Sequence, residues 1–185
     1  MRIALSGTPG TGKTAVAREL RRLGEEVVEL NRLAREHGFL GRLDRRRRTR
    51  EVDLAGLDGF LAGRFPDRER LFIEGHLSHL VSVDRAVVLR CRPAILRRRL
   101  RRRGYPESKV RENSLAEALD AITTEAAGIL GPGRVIELDT TGQKPRAMAL
   151  RIIRLAGRDF CWTRSLRPGS IDWSGDVLRN PNYYI

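Results

Sequence analysis

Short apolar runs separated by amphipathic stretches organise this chain. Ile3-Ala4-Leu5, Val27-Val28-Glu29-Leu30, Leu71-Phe72-Ile73, Ala86-Val87-Val88-Leu89 and Val135-Ile136-Glu137-Leu138 read as five strands. Nearly continuous apolar runs of this length suit parallel strands buried on both faces. Helical spacing fills the intervals. Ala15–Leu20 follows the first strand, and Asn31–His37 reads as one or two helical turns. Val52, Leu54, Leu57, Phe60 and Leu61 place one apolar stripe on a helix over 50–65. Pro93 opens a helix over 94–103, and Gly104-Tyr105-Pro106 breaks it. A long helix is expected over 107–130, stopped by Gly131-Pro132-Gly133, and a last one runs from Pro145 to Gly157. Strands alternating with helices predict an α/β domain over 1–157: a five-stranded parallel sheet with helices on both faces. Ligands of such sheets bind at the carboxyl ends of the strands. No internal repeat is visible. Residues 158–185 show little helical periodicity and read as an appended extension.

The 185 residues suffice for one such domain with a sizeable core. No stretch approaches the ~18 apolar residues of a membrane span. No secretory n-region and h-region precede the first strand, and cleavage there would remove the glycine-rich motif described below. Cys91 and Cys161 lack metal-ligand or redox spacing, and Cys91, at the end of an apolar strand, reads as a buried thiol. A reduced, cytoplasmic setting fits. The net charge is +13 and the pI near 11.2. That balance favours polyanions, nucleotides and RNA among them. Only Lys13, Lys109 and Lys144 are lysines, so arginine supplies nearly all the positive charge. The same bias follows from genome composition or heat adaptation, and both readings stand at this level.

Residues 7–14 read Gly-Thr-Pro-Gly-Thr-Gly-Lys-Thr, a complete phosphate-binding P-loop. It follows a strand and opens a helix, which is the context the motif needs. Its glycines let backbone N–H groups converge on phosphate oxygens, and the helix N-terminus adds its positive dipole end. ATP is therefore expected at Gly10, Gly12, Lys13, Thr14 and Ala15. Lys13 would reach the β- and γ-phosphates, and the Thr14 hydroxyl would ligate Mg²⁺.

Phosphoryl transfer further calls for a carboxylate near the metal and for cations around the transferring group. Glu74 ends the third apolar run, beside the loop, and is the candidate to hold the metal through water. His76, two residues on, could touch Lys13, the attacking water or the phosphate; His79 is expected to face solvent. Six arginines crowd 97–103, and one helix cannot aim them all one way. Arg99 and Arg103 share a face nearest the Gly104 hinge, so these two are expected to close over the triphosphate. Arg35 follows the second strand, and its planar fork suits an acceptor phosphate. Asp53 is a candidate contact to the acceptor base.

The order Gly-Thr-Pro-Gly-x-Gly-Lys-Thr, Leu33-Ala34-Arg35-Glu36, Val52-Asp53, Glu74-x-His76, Arg99-Leu100-x-x-Arg103-Gly104-Tyr105 resembles the atypical adenylate kinases. In eukaryotes these are linked to nuclear small-subunit ribosome assembly. Residues 137–145 are similar to the loop beside the ATP adenine in nucleoside monophosphate kinases. The resemblance covers roughly 1–157. It implies a core, an acceptor-binding arm near 28–51, a short lid near 102–112, and ATP:AMP phosphotransfer with slow ATPase activity. It also implies partners in a small-subunit platform protein and rRNA. The family usually carries Asp where this chain has Glu74. Two alternatives share the P-loop: an ATP-switched assembly factor with incidental kinase activity, and a kinase for another small acceptor. The 158–185 extension carries Phe160, Trp162, Trp173, Tyr183 and Tyr184, half of the chain's ten aromatics. It is expected either to dock a partner or to wrap the core.

Overall fold

The computed structural model describes residues 1–44, 49–66, 69–157 and 164–184. The Arg45–Arg48 run lies outside the described residues, as do Arg158, Phe160, Cys161 and Trp162. Five parallel strands form the sheet: β1 (Arg2–Ser6), β2 (Val27–Glu29), β5 (Leu71–Glu74), β6 (Arg85–Arg90) and β7 (Val135–Asp139). Their order across the sheet is β2-β5-β1-β6-β7.

The period-2 alternation of each strand sorts its side chains between two layers. On one face Ile3, Leu5, Val87, Leu89, Ile136 and Leu138 meet α1 (Lys13–Arg22) and α7 (Pro145–Leu155). Both helices bury residues at i, i+1 and i+4: Val16, Ala17 and Leu20 in α1, and Met148, Ala149 and Ile152 in α7. On the other face Ala4, Ala86 and Val88 are small, and α6 (Ala121–Leu130) sits on them through Ala126. Toward the β2 edge, α2 (Leu30–Glu36) and α3 (Leu54–Arg64) bury Leu30, Leu33, Leu57 and Leu61 against Leu71 and Ile73. Each fully buried aliphatic side chain contributes about 1.5–3 kcal/mol, so these two layers carry most of the driving force.

Three elements differ from expectation. Leu30 begins α2 instead of ending β2. The stretch expected as a helix from residue 50 begins as a strand: β3 (Leu40–Asp44) and β4 (Thr49–Val52) form an antiparallel pair. α3 starts only at Leu54, because the Asp53 side chain caps it by accepting the Gly56 N–H at 2.9 Å. The long helix over 107–130 is two helices, α5 (Glu107–Ala118) and α6, broken at Asp120. Asp120 has φ +54°, a left-handed conformation that Asp tolerates better than most residues, and its carboxylate pairs with Arg90. The break lets α5 pack on α4 (Pro93–Arg102) through Leu96, Leu100 and Val110 while α6 stays on the sheet.

The described part of the extension folds back on the core. Leu166 joins the layer under α1 and α7. Two short helices follow, α8 (Ser174–Arg179) and α9 (Pro181–Tyr184), and they contact α5.

Candidate active site

Register places the site. Leu5 of β1 pairs with Glu74 of β5, so the carboxylate ending β5 lies beside the turn that leaves β1. That turn is the P-loop. Gly7 has φ +135°, and a Cβ there would sit 2.4 Å from the Leu89 carbonyl oxygen, so only glycine fits. Gly12, at φ +103°, turns the chain into α1. Thr140 ties the loop to the end of β7: its hydroxyl lies 2.7 Å from the Thr11 carbonyl and 2.8 Å from the Arg90 carbonyl.

Lys13 is 8% exposed, and its Nζ donates to the carbonyls of Gly7 and Thr8, the latter at 3.0 Å. Burial lowers its pKa to about 8; Glu74 and Glu117 favour the charge, and Arg103 opposes it. Glu74 is equally buried, and its Oε1 accepts the Thr14 hydroxyl at 3.2 Å. Burial raises its pKa, opposed by Lys13 and by the Thr14 hydrogen bond. His76 is half-buried beside them, and its pKa falls to about 4 through burial, then through Lys13 and His79. It is a neutral imidazole at pH 7.

Three cavities adjoin here. One of about 420 Å³ lies between α1, α4 and α7, lined by Gly10, Gly12, Ala15, Arg99, Arg103 and Gln143 among others. A second, of about 250 Å³, gathers Lys13, Thr14, Asn31, Glu74, His76 and Arg103. A third, of about 610 Å³, opens toward α5, past Tyr105, Lys109 and Asn113. Arg103 lines all three.

The fold thus brings together Gly10, Gly12, Lys13, Thr14, Ala15, Glu74, His76, Arg99 and Arg103. Arg99 is held in place, with its guanidinium donating to the carbonyls of Gly10 at 3.2 Å and Thr140 at 3.4 Å. Arg35 and Asp53 are not brought to these cavities. Arg35 is exposed on the last turn of α2, and the Asp53 carboxylate is engaged as the α3 cap. His79, expected at the surface, is fully buried: Nδ1 lies 2.9 Å from Ser6 Oγ and Nε2 2.8 Å from Glu125 Oε2. It is a tie between β1, the turn after β5 and α6.

One cluster had no counterpart in the sequence reading. Arg90, 2% exposed, binds Glu117 at 2.8 Å and also pairs with Glu137 and Asp120. Glu117, on α5, accepts the Cys91 N–H at 2.9 Å and a hydrogen bond from the Thr8 side chain. The P-loop is thereby anchored to α5 through buried charge. A charged residue at a strand end and a Glu inside a predicted helix carry no local signal for this pairing.

A model for the AAA domain matches residues 3–120. A "Putative adenylate kinase" of Natronomonas pharaonis is 45% identical over 149 residues, 80% of this chain and 86% of that protein. Another, of Methanothermobacter thermautotrophicus, is 44% identical over 178 residues, 95% and 99% of the two chains. The chain belongs to this P-loop family. Among solved structures, a shikimate kinase from Acinetobacter baumannii in complex with shikimate superposes with TM-score 0.54 at 19% identity, covering 83% of this chain and 91% of that one. A gluconokinase from Sinorhizobium meliloti 1021 gives TM-score 0.50 at 18% identity, covering 86% and 95%. These likenesses show that this chain has the fold of the P-loop kinases.

Proposed function

We propose that this protein transfers the γ-phosphoryl group of ATP to AMP, giving two ADP. The observation that carries the reading is Arg103, which borders the donor cavity, the phosphate cavity with Lys13, and the opening toward α5. A cation at that junction faces both the donor and whatever approaches its γ-phosphate.

The adenosine of ATP occupies the cavity between α4 and α7, and its phosphates lie along the P-loop amides. Lys13 leaves the Gly7 and Thr8 carbonyls for phosphate oxygens, exchanging neutral acceptors for charged ones. An AMP phosphate oxygen attacks the γ-phosphorus in line, and the bond to the β,γ-bridging oxygen breaks. No general base is needed, because the attacking oxygen is already anionic. Arg99 and Arg103 spread positive charge over the transferring group.

The Thr14 hydroxyl and Glu74 carboxylate, 3.2 Å apart at the phosphate cavity, are hard oxygen donors that suit Mg²⁺. Among the described residues no group of three or more His, Cys, Asp or Glu forms a ready metal cage, so Thr14 and Glu74 would hold the ion together with ATP oxygens and water. When bound, it neutralises charge on the β- and γ-phosphates. Glu74 replaces the shorter Asp usual in the resembling family and reaches Thr14 directly.

Arg35 belongs to the arm formed by α2 and the β3–β4 pair, and it reaches the acceptor phosphate when that arm closes. Neutral His76 can orient a water in place of AMP, the side reaction that the slow ATPase implied by the resemblance would require. The relatives' names support the choice of acceptor. A role in small-subunit rRNA maturation rests on the resemblance and the +13 charge. Screening nucleoside monophosphates with ATP and Mg²⁺ tests the reading. AMP should stimulate ADP formation most, and stimulation by none of them refutes it.

A further inference from the structure

The six arginines over 97–103, five in α4 and Arg103 at its C-cap, are sorted by the helix. At about 100° per residue, Arg97 and Arg101 share one face, and Arg99 and Arg103 take roughly the opposite one. The Arg99 and Arg103 face lines the donor cavity. The Arg97 and Arg101 face is occupied by the C-terminal helices.

Arg97 Nη1 donates to Asp176 at 2.8 Å and to the Tyr184 hydroxyl at 2.7 Å, and this ion pair is only 14% and 16% exposed. The Tyr184 hydroxyl also donates to Asp176 and lies 3.4 Å from Ser114 Oγ of α5. The Tyr183 hydroxyl donates to Glu107 of α5 at 3.2 Å, and Glu107 pairs with Arg101 of α4. The Arg97 guanidinium lies 4.5 Å from the Tyr183 ring centroid, and those of Arg101 and Arg111 lie 5.8 Å from it. Two tyrosines and one aspartate therefore bridge α4 and α5 across the hinge that joins them. Arg103 caps α4 in that hinge, followed by Gly104 at φ +73°.

We propose that α8 and α9 form a strap across the back of the α4–α5 hairpin, and that Asp176, Tyr183 and Tyr184 are positioning residues that hold Arg103 toward the transferring phosphate. This rests on the phosphotransfer reading. The physical reason is preorganisation. Glycine at the hinge leaves Arg103 free to swing, and a cation stabilises the transition state fully only when it is already in place. Asp176, Tyr183 and Tyr184 line neither the donor cavity nor the phosphate cavity. It contributes to the rate by narrowing the hinge and leaves ATP binding at the P-loop alone.

The test uses the full-length protein carrying Tyr183→Phe and Tyr184→Phe together, with Asp176→Asn as an independent variant. Phe keeps the rings and removes only the hydroxyls. Amide hydrogen exchange over 97–113 should quicken about tenfold, the size of one lost charge-assisted hydrogen bond. The kcat should fall about tenfold while KM for ATP stays within about twofold. In an Arg103→Ala background the same changes should lower kcat no further, because the residue they act through is gone. Three results would overturn the proposal: unchanged exchange over 97–113, a full additional loss in the Arg103→Ala background, or a melting temperature lowered by more than ~5 °C with exchange quickened throughout. Exchange is read without any acceptor, so an unmodified enzyme that phosphorylates no monophosphate would refute the phosphotransfer reading and leave the strap to be judged by exchange alone.

Discussion

The Thr14 hydroxyl donates to Glu74 Oε1 at 3.2 Å, joining the first turn of α1 to the end of β5 across the phosphate cavity. Two hard oxygens are thus held together before any cation arrives. Replacing Glu74 by Gln keeps the shape and removes the charge. Such a change near a metal typically costs about 10–100-fold in apparent affinity, so the Mg²⁺ concentration for half-maximal turnover should rise by that factor. An unchanged Mg²⁺ titration would remove Glu74 from the metal site.

Lys13→Ala should lower phosphotransfer at least ~100-fold while the protein stays folded, because the lost cation acts on the transferring phosphoryl group. Circular dichroism checks the fold and initial rates check the loss. Near-normal turnover in a folded variant would contradict the assigned role of the P-loop lysine.

Lys13 also sets a pH dependence. Its pKa falls from 10.5 to about 8 in the folded protein. Donor binding uses the cation, so kcat/KM for ATP should decline as pH rises through about 8. Stability moves the other way. Between about 8 and 10.5 the folded state holds fewer protons at this site than the unfolded chain does, so the contribution of Lys13 to stability rises with pH across that window. Denaturant melts and kcat/KM over the same pH series should therefore diverge. A kcat/KM profile flat to pH 10 would contradict the assignment.

Arg35→Ala should weaken AMP binding by about 1.5–3 kcal/mol and leave ATP binding nearly unchanged, the expected cost of one guanidinium–phosphate contact. Calorimetry with each nucleotide separately reads the difference. Equal losses, or none, would make Arg35 a solvated surface residue.

The sheet and its P-loop were legible in the sequence because buried parallel strands are continuously apolar and the motif has fixed spacing. Glu74 was legible for the same reason, since it closes an apolar run. The β3–β4 pair was hidden because arginine and glycine mask its alternation. The break at Asp120 carries no Gly or Pro; it depends on Arg90, 30 residues away. Asp53 suited a ligand by its chemistry, and its position before Leu54 also makes it a helix cap, a local role that its place ahead of an apolar stripe could have signalled. Tyr183 and Tyr184 were legible as aromatics among arginines, but which arginines they meet depends on how the chain folds back.

Phosphotransfer as proposed delivers the phosphoryl group to AMP, not to water. The direct measurement is the fate of label from γ-labelled ATP incubated with Mg²⁺ and AMP. The label should appear chiefly as the β-phosphate of ADP, with inorganic phosphate a minor product. Label released as inorganic phosphate at the same rate with and without AMP would contradict it.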